Sequence, residues 1–176
     1  EVDEEENNSP EIITEDSYDS INEIIKAVSD INTKPTDGMV EEAKKGLEWR
    51  KEHGRGGTMV GVARANQIVR KEKLSPRTVR RMKSFFARHE VDKRAEGFRP
   101  GEEGYPSAGR IAWALWGGDA GQSWSNKKVD QLDRERNKFL ETASELKENF
   151  IEEEKQLTAA IREGLRNKVK DHNDKY

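Results

Sequence analysis

Two short stretches of the sequence hold residue types that could do chemistry, and a third holds a row of cations. The first, His53-Gly54-Arg55-Gly56-Gly57-Thr58, puts three glycines in front of an apolar-periodic segment. Free backbone N–H groups in such a turn can cradle a phosphate, which makes Arg55, Gly56, Gly57 and Thr58 a candidate phosphate turn. The run lacks the spacing and the Lys-Ser/Thr pair of a P-loop, so a structural turn is the plainer account. The second, His89-Glu90-Val91-Asp92, offers an imidazole and two carboxylates without the His-Glu-x-x-His spacing that seats zinc on a helix. A capped, partly buried helix end explains it more simply. The three histidines, His53, His89 and His172, are far apart, and the chain has no cysteine. Neither a metal-ligand set nor a thiol nucleophile nor a disulfide is therefore expected. No serine is paired with a base, Ser107 reads as a helix cap, and no catalytic residue or cofactor site follows.

The third stretch is cationic. Arg77, Arg81, Ser84 and Arg88 recur at intervals of four, three and four, with Arg80 and Lys83 between them. At about 100° per residue, Arg77, Arg81 and Arg88 share one side of a helix and Val79, Met82 and Phe86 the other. Arg77, Arg80, Arg81, Lys83 and Arg88 are thus candidate polyanion-binding residues, since guanidinium forks suit phosphates and carboxylates. A solvated charged face is the alternative. Trp113 and Trp116 read as core, with stacking on a base or ligand as the second possibility.

The elements that must position these residues are helical. Of the 176 residues, 32% are hydrophobic and 38% charged, well under the roughly 45–50% apolar content of an ordinary domain. A single core running the whole length is not expected. Charge is segregated along the chain: residues 1–30 carry eleven acids against Lys26 alone, residues 43–99 carry seventeen Lys and Arg against six acids, and residues 127–176 carry twelve of each sign. The N-terminal 1–16 is expected to be a disordered acidic arm. Ile21, Ile24, Ile25 and Val28 predict a short amphipathic helix, followed by a linker, over 17–37.

Residues 38–126 hold eight of the twelve aromatic residues and are expected to form a compact four-helix domain. Gly54 reads as a helix C-terminal glycine, Ser75-Pro76 as a cap with proline at the first helical position, and Ser107 as the cap of a nearly all-apolar helix. Gly117-Gly118 breaks that helix, and Asp119 is expected to cap the next. Over 127–176 the pattern predicts one long amphipathic helix with coiled-coil character. Its candidate partner-helix seam is Val129, Leu132, Phe139, Leu146 and Phe150. Packing against another chain and folding back on the domain are both open. No apolar run is long enough for a membrane helix, so no membrane partner is expected. The opening residue, Glu1, reads as a processed product or a piece of a longer chain.

Three blocks carry a resemblance. They are Glu52-His-Gly-Arg-Gly-Gly-Thr-Met-Val-Gly-Val-Ala-Arg-Ala, Leu74-Ser-Pro-Arg-Thr-Val-Arg-Arg-Met-Lys-Ser-Phe-Phe-Ala-Arg-His-Glu-Val-Asp-Lys, and Gly104-Tyr-Pro-Ser-Ala-Gly-Arg-Ile-Ala-Trp-Ala-Leu-Trp-Gly-Gly-Asp-Ala-Gly. In this order they resemble a small helical module of tailed-bacteriophage head and virion proteins associated with capsid morphogenesis. The resemblance covers residues 38–126. It implies a non-enzymatic structural protein of the virion, assembled in the bacterial host cytoplasm, whose arms dock to capsid, portal, scaffold or neighbouring subunits in an oligomeric assembly. The residues themselves leave a second class open, a DNA-binding protein using the basic centre over 43–99, with non-specific contacts to DNA; the second helix followed by Leu74-Ser-Pro-Arg-Thr-Val-Arg-Arg-Met has the order of a helix-turn-helix, but Arg70 to Leu74 is too long for its usual tight turn.

Overall fold

A computed structural model describes residues 15–173. The described residues form six α-helices and one 3-10 helix and contain no strand: α1 (Glu15–Asp30), α2 (Asp37–His53), α3 (Met59–Val69), α4 (Pro76–His89), the 3-10 helix (Glu90–Arg94), α5 (Ala108–Leu115) and α6 (Gly118–Asn173). The all-α expectation holds. Of the expected disordered arm over 1–16, residues 1–14 lie outside the described residues, and Glu15 and Asp16 belong to α1.

The chain divides into two units, one comprising Asp30–Arg134 and the other the described residues 15–29 and 135–173. The first is wider than the 38–126 read from the sequence, for two reasons. The stretch taken as a linker is packed: Thr33 and Pro35 are buried, and Thr33 O accepts from Leu74 N at 3.1 Å. Val129 and Leu132, read as part of a partner-helix seam, are also buried. The stretch 38–126 holds α2 to α5, the 3-10 helix and the first turns of α6, so the four-helix count does not describe it.

Within this unit the apolar residues at helical spacing form one core. Met39 and Ala43 of α2, Ile68 of α3, Val79, Met82 and Phe86 of α4, and Ile111, Trp113 and Leu115 of α5 are all buried, each large one contributing about 1.5–3 kcal/mol. Helix α2 packs on α5 and α3, and α4 packs on α5. At Gly46 a Cβ would lie 2.7 Å from Leu115 N, so the α5 main chain rests on α2 itself. Phe86 meets Trp113 edge-on at 4.7 Å. Arg110 donates to Glu42 Oε2 at 2.7 Å and lies 5.0 Å from the Trp49 ring centre, an ion pair largely shielded from water.

Helix boundaries follow local chemistry. Gly54 takes the left-handed conformation after α2 (φ 62°), where a side chain would clash with its own backbone. Ser75 Oγ accepts from Thr78 N at 3.2 Å with Pro76 opening α4, and Ser107 Oγ accepts from Arg110 N at 3.2 Å. Asp119 does not cap α6 as expected. The helix already begins at Gly118, and the Asp119 carboxylate instead accepts from Trp113 Nε1 at 3.0 Å and pairs with Lys93 at 3.1 Å.

In the other unit, Ile21, Ile24, Ala27 and Val28 of α1 are half-buried. Along α6 beyond Arg134, Leu140, Leu157, Ile161, Leu165 and Val169 are each more than half exposed. The expected seam is therefore split: Val129 and Leu132 are core, Leu146 is half-buried, and Phe139 and Phe150 are exposed. No described helix is long and apolar enough to cross a membrane.

Candidate functional site: an arginine-lined cleft

The cationic row of α4 is sorted by its neighbours. Arg80 pairs with Asp133 at 2.7 Å and Lys83 with Asp130 at 3.2 Å, so these two polyanion candidates face the acids of α6. Arg77, Arg81 and Arg88 are exposed, and among the described residues none of the three forms an ion pair. The shared face expected from helical geometry for Arg77, Arg81 and Arg88 is exposed, while Arg80 and Lys83 turn to α6.

Arg81, Ser84, Phe85, Arg88 and His89 form one wall of an open cleft of about 900 Å³. Gly57, Thr58 and Val60 at the start of α3, Ala108, Gly109 and Ala112 of α5, and Asp92 and Trp116 complete it. Stretches that are separate in sequence, the glycine turn, the arginine row, the His-Asp pair and one of the paired tryptophans, therefore meet at a single place. Arg77 lies outside it.

The glycine turn is first of all structural. Arg50 donates to the carbonyls of Gly56 and Gly57. Arg55 points away from the cleft and donates to Gly104 O at 3.0 Å and Pro106 O at 3.1 Å. Thr58 Oγ1 accepts from Gly61 N at 3.4 Å, capping α3. At Gly57 a Cβ would lie 2.5 Å from Leu115 Cδ1, so the turn is pressed onto α5. Of the four candidate phosphate-turn residues, Gly57 and Thr58 reach the cleft and Arg55 does not.

His89 Nδ1 and Asp92 Oδ2 are 3.0 Å apart. A side chain at Gly109 would meet Asp92 at 3.1 Å, so the start of α5 comes close to that carboxylate. Asp92 is the one acid lining the cleft.

The floor is aromatic. Trp116 stacks on Phe85 with ring centres 4.5 Å apart and planes 8° apart, and Phe85 lies 4.4 Å from His89. Both aromatic rings are largely buried, which agrees with the core reading of Trp116.

A buried cation behind this floor escaped the sequence reading. Arg64 is 8% exposed, lies 5.6 Å from the Trp116 ring centre, donates to Gln67 Oε1, and leaves its Nε without a partner. Burial first, and then the charge of Arg81, pull its pKa below the usual arginine value. Its signal was positional: it stands three residues after Gly61 and four before Ile68, on the buried stripe of α3.

A helix-turn-helix does not form, in line with the long connector Arg70 to Leu74. Helix α3 packs on α2 and α5, and not on α4. Among the described residues no group of three or more metal-ligating side chains occurs. Comparisons with protein-family models, with curated proteins and with solved structures return no match.

Proposed function

We infer that the chain is a non-enzymatic structural component of a tailed-phage head or virion. It docks to capsid, portal or scaffold subunits, or to neighbouring copies, chiefly through α6. The observation that carries this reading is the row Leu157, Ile161, Leu165 and Val169, spaced by four along α6, with Phe150 seven residues earlier, all exposed. An isolated helix gains little stability from propensity alone, and contiguous exposed apolar surface marks contact with a partner. The resemblance of residues 38–126 to phage head modules supplies the biological setting.

The test is co-sedimentation of the full chain with assembled phage heads, alongside sedimentation equilibrium of the chain alone. Association lost in a Leu157→Asp, Ile161→Asp, Leu165→Asp variant supports the reading. A chain that stays monomeric at high concentration and never sediments with particles overturns it.

The second reading, a DNA-binding protein using the basic centre, is favoured by the unpaired Arg77, Arg81 and Arg88. Salt-dependent DNA binding that survives the α6 substitutions, with no association to particles, is the result that would prefer it.

A further inference from the structure

We propose that the cleft between α4, the start of α3 and the start of α5 is a binding site for the phosphate group of an organic ligand, clamped by Arg81 and Arg88. This goes beyond the docking reading and does not depend on it.

The first argument is the local charge. Two guanidiniums open onto the cleft, and its single carboxylate, Asp92, is engaged by His89 at 3.0 Å. Arg64 adds a third cation behind Trp116, with an unsatisfied Nε and with Arg81 close enough to lower its pKa. Three cations held together against a single cleft carboxylate that is already engaged favour an incoming anion. On the same helix Arg80 and Lys83 have found acids on α6, so the unpaired state of Arg81 and Arg88 is particular to the cleft.

The second argument is geometry. Arg81, Ser84 and Arg88 lie on one side of α4, which sets a hydroxyl between two forks able to grip phosphate oxygens bidentately. Across the cleft stand Gly57 and Thr58, at the positive end of the α3 dipole. The cleft's volume of about 900 Å³ exceeds what one phosphate fills, and its Phe85 and Trp116 floor offers apolar contact to the organic part. The phosphate could come from a free nucleotide or from a nucleic-acid strand, because both present the same oxyanion.

The experiment is titration of the full chain at low salt with pyrophosphate, a nucleoside triphosphate and a single-stranded oligonucleotide, followed by calorimetry. At least one probe should bind. Arg81→Gln with Arg88→Gln should weaken it by about tenfold or more. Arg80→Gln with Lys83→Gln removes the same charge outside the cleft and should weaken it less than about twofold. Arg81→Lys with Arg88→Lys keeps charge but loses the forks, and should fall between. Circular dichroism of each variant confirms an unchanged fold, as expected for exposed side chains. A triphosphate preference identifies the free nucleotide as the source, and an oligonucleotide preference identifies the strand. If no probe binds, or if the two double variants lose affinity equally, the cleft has no phosphate site.

Discussion

Replacing Gly46 by Ala sets two effects of opposite sign against each other. In a helix interior alanine is favoured over glycine by about 0.8–1 kcal/mol, so propensity alone predicts a more stable protein. At this position the new Cβ would lie 2.7 Å from Leu115 N, 2.9 Å from the Ala114 carbonyl carbon and 3.1 Å from Ala114 Cβ. Ordinary contact begins at 3.4 Å, so α2 and α5 must part by roughly 0.7 Å. Overpacking of this kind costs about 1–3 kcal/mol, towards the upper end where the obstacle is main chain that cannot rotate away. The expected net effect is a loss of about 1–2 kcal/mol, and for a unit of this size a fall in Tm of about 5–15 °C.

Thermal unfolding followed by near-UV circular dichroism suits the measurement, because Trp113 lies on α5 and Trp116 directly follows it. Gly164→Ala provides the contrast. Nothing lies within 4 Å of a Cβ there, so only the propensity gain should appear, as added helicity. A Gly46→Ala variant that melts at or above the parent temperature would refute the close crossing of α2 and α5.

Three other outcomes are expected. Arg64→Met should leave Tm unchanged or raise it by up to a few degrees, because a buried cation with an unsatisfied Nε is exchanged for an apolar chain of similar length; a fall of more than about 2 kcal/mol in denaturant titration would show that the Arg64 charge stabilises the fold. Glu42→Ala strands the shielded Arg110 guanidinium, whose NH1 already lacks a partner, and should cost about 2–4 kcal/mol, read as a lower urea midpoint. A hydrogen bond from Lys71 and its charge hold the Asp37 carboxyl below its ordinary range. With the folded pKa below the unfolded one, the pair stabilises above the ordinary carboxylate range and ceases to as pH falls through the lowered value. Urea midpoints of Lys71→Met and parent should therefore differ at neutral pH and converge in acid, and a constant offset at every pH would contradict the assignment.

What could be read from the sequence was whatever depends on near neighbours along the chain. Gly54, Ser75-Pro76 and Ser107 mark helix ends because a left-handed turn or a cap is settled within three or four residues. The buried face of α4 was legible for the same reason, since Val79, Met82 and Phe86 repeat at helical spacing. What could not be read was which element lies beside each remaining face. Helical spacing sets Arg80 and Lys83 off the side shared by Arg81 and Arg88, but not that α6 brings Asp133 and Asp130 alongside them. Val129 and Leu132 fit the same heptad pattern as Phe139 and Phe150, and only burial separates core from exposed positions. Asp119 illustrates the competition directly: its carboxylate serves Trp113 and Lys93, two partners that no local pattern names. The cleft itself joins residues more than 50 positions apart, and no single stretch announces it.

Three glycines face main chain of α5 or of the residue just after it, and this bears on how the sequence can drift. Leu115 N faces Gly46, Ala108 O faces Gly56, and Trp116 O, just past the helix end, faces Gly121. When two side chains collide after a substitution, a second substitution elsewhere can trim the other and restore the fit. A backbone atom is common to every residue type, so no second change at 108, 115 or 116 can make room for a side chain at the facing glycine. Compensation is closed at these contacts, and variants of this unit should keep these three glycines fixed.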